Sequence, residues 1–391
     1  MPRHTTVGGP SAIPDGPTLA SLGSAVLTSL GVAAPSPVAS SLMLEPARAI
    51  VLLLVDGFGK QLLHDHYNDV PFMRTLPDVG PLTVGFPAST AISLASLTTG
   101  VRTGAHGIVG TSFRVDGTEL LDVLRWTSHG AGPHTDFRDV HPPERIQPVP
   151  TLLERASAEG VAVTVISQRE FRDSGLTRAT LRGGKYRGYH ALGDFVTRVL
   201  AGVQGPGPEL CYAYHADLDL VGHLYGPGST AWRVQLAVID RLVEQLVSQL
   251  PADAAVLITG DHGMVAMDDV VDADTHPDLS RGVALLGGDA RSRHVYADAG
   301  AARDVLSTWR EVLGASAWVL SRDEAIDLDL FGPLSSHVAG RIGDVVTAAR
   351  GRSGVIRSVA EPFISSLPGQ HGSLSIEEQR VPLLVAHRRD P

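Results

Sequence analysis

Seven side chains in five short segments carry the chemistry of this sequence. They are Asp56 in VLLLVDGFG, Thr90 in FPASTAISLASLTTG, Asp219 and His223 in DLVGH, Asp261 and His262 in VLITGDHG, and His371 in GQHG. One hydroxyl, three carboxylates and three imidazoles can supply the ligands of two zinc-like cations and one nucleophile. Mixed Asp/His ligation suits zinc, with manganese or iron as alternatives, and no thiolate joins the set. Two such ions about 3.5–4 Å apart can hold attacking and leaving oxygens in line. The inventory therefore points to metal-assisted hydrolysis of a phosphate ester.

Thr90 opens a run of helical spacing, Thr90 to Thr99, entered through Phe86-Pro87 and Ser89. A hydroxyl there faces free backbone N–H groups and the positive end of the helix dipole, a seat for a phosphoryl group. The plain alternative is a capping role, for which Ser89 and Thr90 are both suited. Asp219 and His223 lie four residues apart, so one helical turn lets both meet one ion. Asp217 competes with Asp219 on spacing alone. GDHG places an acid and an imidazole after an apolar run, between glycines that allow close backbone approach. His371 gains meaning only from the others.

The elements that must position these residues follow from the apolar pattern. Ala49–Val55 is apolar without alternation, which suits a strand buried on both faces of a parallel sheet. Similar runs occur at Val161–Ile166, Leu210–His215 and Ala254–Thr259, and helical patterns span Thr151–Ala158 and Ser229–Leu250. Strand and helix alternate, which predicts an α/β fold with a doubly wound, mostly parallel central sheet flanked by helices. In such sheets ligands gather beyond the carboxyl ends of the strands, where Asp56, Asp219 and Asp261-His262 all fall. A small inserted α+β cap is expected over 266–334, within a catalytic core of 19–265 and 335–391. Residues 1–18, rich in Gly and Pro, read as a flexible arm, and Arg114–Arg145 reads as a long irregular insertion.

The 391 residues carry 42 acids and 32 Lys or Arg, a net charge of −10, which argues against a nucleic-acid polymer as partner. The one cysteine, Cys211, excludes an internal disulfide, lies in a strand-like run and reads as a buried thiol. The N-terminus lacks the layout of a secretory signal, and the run Leu19–Val32 is too short and too rich in Gly and Ser to span a bilayer. The expectation is a cytoplasmic protein without a membrane partner, acting on a small-molecule phosphate ester. Its oligomeric state is not legible.

Taken together, FPASTAISLASLTTGVRTGAHGIVG, DLVGHLYGPGS, GDHGM and QHG resemble the nucleotide pyrophosphatase/phosphodiesterase branch of the alkaline phosphatase superfamily, from about Ile50 to His371. The resemblance implies an alkaline phosphatase-like fold and two divalent ions, with Thr90 forming a covalent intermediate. It implies Asp56, Asp261 and His262 around the ion that activates Thr90. Asp219, His223 and His371 would surround the ion that activates water, and the Ala91 N–H would help cradle the phosphate. Two positions depart from the pattern. Ala91 stands where an aromatic residue commonly follows the nucleophile, and Thr111 stands where an asparagine commonly donates to the phosphate. No C-x-P-x-R or S-x-P-x-R segment is present, which argues against sulfatase relatives.

The leading expectation is thus a hydrolase of small phosphodiesters or pyrophosphate-linked metabolites working through phosphothreonine. A phosphomonoesterase or phosphonoacetate-type phosphonate hydrolase would use the same residues but would need a further basic partner, for which Arg102, Lys185 and Arg187 are the candidates. A metal-bound module without catalysis is the third reading. His106, Arg341 and Asp344 read as structural, and KYRGYH as a solvated loop or a lid.

Overall fold

The computed structural model describes residues 16–32, 42–115, 117, 119–130 and 132–388. In chain order the strands of the two larger sheets are β1 (Ala49–Val55), β2 (Ala162–Gln168), β3 (Lys185–Tyr189), β4 (Glu209–His215) and β5 (Ala254–Thr259), then β6 (Val283–Asp289), β7 (Ser292–Ala297), β8 (Ala317–Ser321), β9 (Val345–Ala349) and β10 (Leu383–His387). The central sheet has the order β10-β5-β1-β4-β2-β3. Strands β1 to β5 pair in parallel, and β10 closes one edge antiparallel to β5.

Alternate residues of β1 feed two separate cores, which explains its unbroken apolar run. Val51, Leu53 and Val55 pack with Trp232, Leu236, Ile239, Val243 and Leu246, all on one helix. Ile50, Leu52 and Leu54 pack on the other face with Leu22, Val26, Leu94 and Leu97. All seven residues of β1 are buried, and each such Val, Leu or Ile contributes about 1.5–3 kcal/mol by leaving water. The longer helices are α1 (Leu19–Ser29), α2 (Thr90–Thr99), α3 (Leu152–Ala158), α4 (Leu192–Ala201), α5 (Asp217–Tyr225), α6 (Thr230–Ser248) and α7 (Ala302–Leu313). The Ser229 side chain caps α6 by accepting the Trp232 N–H at 3.3 Å.

Within the segment expected as a cap over 266–334, β6, β7 and β8 do form with α7, but they share a four-stranded sheet, β6-β7-β9-β8, with Val345–Ala349 beyond it. Asp269–Asp272 pairs in parallel with Ser353–Ile356 in the same way. Of the arm expected over 1–18, residues 1–15 lie outside the described residues. Pro17 accepts the Thr83 N–H and Thr18 caps α1, so both are tied to the fold. The Arg114–Arg145 insertion contains a short strand at Leu120–Asp122 that pairs with Ser112–Arg114 on one side and with Thr127–Ser128 on the other. KYRGYH is neither a loop nor a lid, because Lys185–Tyr189 is the edge strand β3, held in register by Val165 and Ile166. Cys211 is buried in β4, and burial pushes its thiol up to about 12. Among the described residues no helix is long and apolar enough to cross a membrane.

Candidate metal centre

The carboxyl ends of β1, β4 and β5 are neighbours in the sheet, so the residues that follow them meet. Asp56 follows β1 and Asp261-His262 follows β5, while Asp219 and His223 lie on α5, directly after β4. Gly57 turns the chain at φ +71°, and a Cβ there would lie 3.0 Å from the Asp219 Cα. The glycine of VDG thus supplies both a left-handed turn and room for the second aspartate.

Two triads result. Ligand atoms of Asp56, Asp261 and His262 all lie within 4.8 Å of one another, as do those of Asp219, His223 and His371. His262 Nε2 is 3.4 Å from Asp56 Oδ1 and 3.7 Å from Asp261 Oδ2. His223 Nε2 is 3.3 Å from Asp219 Oδ2, and His371 Nε2 is 3.9 Å from Asp219 Oδ1. Thr90 Oγ1 stands 3.1 Å from His262 Nε2 and 3.5 Å from Asp56 Oδ1. All seven side chains singled out in the sequence therefore share one site.

Asp217 and Asp219, and Ser89 and Thr90, are placed differently. Asp217 turns toward Gln168 and His215, whereas Asp219 faces His223. Ser89 is the residue before α2, but its side chain makes no capping hydrogen bond, and its buried Oγ has no partner. Thr90, the first residue of α2, carries the hydroxyl that reaches a triad.

Tests on the residues themselves favour bound cations. Asp219 Oδ1 and Asp261 Oδ2 are buried oxygens without a hydrogen-bond partner, a costly state for a carboxylate unless a cation faces it. Burial pushes Asp56 well up, and the charges of Asp261 and Asp219 push the same way; burial and Asp219 also raise Asp261 against the pull of His262. Burial would raise Asp219 too, but the imidazoles of His223, His371 and His262 outweigh it and hold that carboxyl low. Burial would lower His223, yet the Asp219 charge dominates and lifts it to about 9, while burial and His262 hold His371 well below its usual range.

The backbone sets the tautomer of each site histidine. Nδ1 of His223 lies 2.7 Å from Gly369 O, that of His371 2.9 Å from Ala88 O and that of His262 3.1 Å from Gly263 O. A carbonyl accepts only, so each Nδ1 carries a hydrogen and each Nε2 faces the site, where that of His223 must shed its proton before it ligates a cation. His106 is arranged in the opposite sense. Ile108 N–H donates to its Nδ1 at 3.2 Å, and its Nε2 meets Ser96 Oγ at 3.1 Å. It holds a loop, as its neighbour Arg341 does through Gly107 O and Ile146 O, while Asp344 pairs with Arg322.

Thr90, Thr111, Asp219, His223 and His371 line one cavity of about 360 Å³, walled on the far side by His129, His134 and Phe363. Part of the Arg114–Arg145 insertion thus overlies the site. Ala91 is buried in a core with Phe86 and Ile92 instead, so its side chain supplies no wall to the cavity.

Residues 50–373 match the sequence model of the family described as type I phosphodiesterase / nucleotide pyrophosphatase. The chain belongs to this family. No curated protein matches it by sequence. Human ectonucleotide pyrophosphatase/phosphodiesterase 5 is 17% identical with a TM-score of 0.66, and the match covers 86% of this chain and 87% of that one. The murine protein, in an inactive form in complex with AMP, is 16% identical with a TM-score of 0.65 over the same shares. Phosphonoacetate hydrolase from Sinorhizobium meliloti, in complex with phosphonoacetate, is 18% identical with a TM-score of 0.61, covering 87% of this chain and 90% of that chain. The fold of this phosphodiesterase-family chain is the alkaline phosphatase-like one, and the protein is a metal-dependent phosphoric ester hydrolase.

Four contributors escaped the sequence. The Tyr214 hydroxyl donates to Asp56 Oδ2 from the end of β4. Glu378 spans two ligand loops: its backbone O accepts the Gly263 N–H at 2.9 Å and its Oε1 accepts the Ser373 N–H at 2.9 Å. Buried Arg291 pairs with the same Glu378 carboxylate at 2.6 Å. Asp289, at the end of β6, accepts the hydroxyl of Thr111 at 2.7 Å. A strand-end position was the available signal for Tyr214; in the apolar run ELCYAYH a tyrosine reads as core.

Proposed function

We propose that the protein hydrolyses small phosphodiesters or pyrophosphate-linked metabolites through a covalent intermediate on Thr90. In this reading Asp56, Asp261 and His262 hold one divalent cation and Asp219, His223 and His371 a second, with zinc preferred over manganese or iron. When bound, the cations offset the three carboxylates and lower the pKa of an adjacent hydroxyl. Thr90 Oγ attacks phosphorus, the bond to the leaving oxygen breaks, and the leaving group departs with a proton. Water then cleaves the phosphothreonine, restoring the hydroxyl. The first N–H groups of α2, including that of Ala91, face the phosphoryl oxygens. The observation that carries this reading is the Thr90 hydroxyl at 3.1 Å from His262 and 3.5 Å from Asp56.

The test uses metal-loaded protein and a chromogenic aryl phosphodiester. Thr90→Ala should lower kcat by at least about 10³-fold, as loss of a nucleophile does, with metal content retained. Acid-quenched wild type should carry a phosphoryl adduct on the peptide containing Thr90. Undiminished turnover by the variant would overturn the mechanism. The monoester and phosphonate readings find less support. Arg102 pairs with Asp329, and Lys185 and Arg187 lie on β3, so none of the three candidate cations lines the cavity.

A further inference from the structure

Three carboxylates that neither triad uses line the cavity, and of these Asp122 and Glu361 face basic side chains while Asp289 does not. Its Oδ1 accepts the Thr111 hydroxyl at 2.7 Å and its Oδ2 is buried without a partner. Thr111 has one hydrogen to give. Given to Asp289, it is not free for a phosphoryl oxygen, so a donor position commonly filled by asparagine in this family is spent on an acid here.

Gly372, next to His371, makes room for this acid. Its φ is +132°, and a Cβ there would lie 3.2 Å from the Asp289 Cβ and 3.0 Å from Ser292 Oγ. The charge of Asp289 acts on His223 in one triad and interacts with His262 in the other. A phosphoryl group seated between the triads lies in the same field. The basic groups that line the cavity face partners other than Asp289. Arg125, on the exposed rim, is 3.9 Å from Asp122. His129 is 3.1 Å from Glu361, and His134 Nδ1 meets Ser128 O. Burial raises the Asp289 carboxyl to about 6, so above that pH it carries its charge.

We propose that Asp289, oriented by Thr111, is a specificity-determining residue that disfavours dianionic phosphoryl groups and thereby selects phosphodiesters over phosphomonoesters. This rests on the phosphodiesterase reading above. A monoester bears close to two negative charges at neutral pH, whereas a diester bears one. A carboxylate in the cavity wall acts on the extra charge, and selectivity then comes from repulsion of the wrong substrate.

The experiment compares kcat/KM for an aryl phosphate monoester and the matching methyl aryl phosphodiester, at equal metal loading and well above the Asp289 titration. Asp289→Asn keeps an acceptor for Thr111 and removes the charge. The monoester-to-diester ratio should rise at least tenfold, and calorimetry should show inorganic phosphate binding at least tenfold tighter. Thr111→Val leaves the carboxylate in place and should leave the ratio low. A ratio and a phosphate Kd within twofold of wild type in Asp289→Asn, or an equal rise in Thr111→Val, would overturn the proposal. If Asp289→Asn does not fold, Asp289→Ser carries the same expectations. Wild type that is fully metal-loaded yet turns over neither ester sinks the phosphodiesterase reading instead, and phosphate affinity alone then decides the role of Asp289.

Discussion

The imidazoles of His262 and His371 stack face to face, with centroids 3.6 Å apart and planes 18° from parallel. Each ring belongs to a different triad, so the pair is the shared wall of the two clusters. Burial, with His262 as a further cause, holds His371 well below its usual range. The Nε2 atoms of the two rings lie next to carboxylates of the two triads, that of His262 also meeting the Thr90 hydroxyl at 3.1 Å.

That arrangement predicts a large stability effect of metal removal. A ligand that binds only the folded state adds about 4 kcal/mol at a thousandfold excess over its Kd. Dialysis against a chelator should therefore lower the unfolding midpoint in denaturant, and zinc should restore it. Elemental analysis should find two equivalents of metal per chain in wild type and about one in His371→Ala. Identical midpoints with and without chelator would contradict two buried cation sites.

Much of this site was legible in the sequence because its parts sit where strands end. Asp56, Asp219 and Asp261 fall just past β1, β4 and β5, and apolar runs mark those strands plainly. Apolar patterning failed where a strand is polar. KYRGY forms an edge strand with only its last two residues buried, so nothing in its pattern separated it from a loop. It failed also for contacts between distant segments. Nothing in the spacing links Thr111 to Asp289, or Glu378 to both the GDHG and the QHG loops; these pairings join segments that only the folded chain brings together. Nor does the pattern show that β9, beyond the boundary expected at 334, shares a sheet with β6.

Tyr214 offers a test of how the first triad is oriented. Burial and the nearby charge of Asp56 push its phenol well above the ordinary range, so it stays protonated and donates to Asp56 Oδ2. Partners that orient a metal ligand in this way typically matter by about 10–100-fold in metal affinity. Tyr214→Phe removes only the hydroxyl and keeps the ring. Competition with a chromophoric chelator should show one of two zinc sites weakened within that range. Unchanged affinities at both sites would mean that the hydroxyl serves packing alone.

Acid sensitivity should come from histidines away from the site as well as from metal loss. His106 and His294 are fully buried. In His294 the Gly343 N–H donates to Nδ1 at 3.1 Å and Nε2 meets Val109 O at 3.0 Å, so the ring, like that of His106, is satisfied only when neutral. Burial, helped by Arg341 for His106 and by Arg322 for His294, lowers them to about 3 and about 4. An unfolded histidine titrates near 6.5, so below that pH the unfolded chain binds protons that the folded chain refuses. Stability contributed by these residues is therefore complete above about 6.5 and falls with pH toward their folded values, by up to about 1.4 kcal/mol per pH unit for each. Denaturant unfolding of chelator-treated protein between pH 7 and pH 4.5 (about the window these shifts define) should show this slope. His106→Gln should reduce the slope by about one proton, and an unaltered slope would rule out His106 as a source of the acid sensitivity.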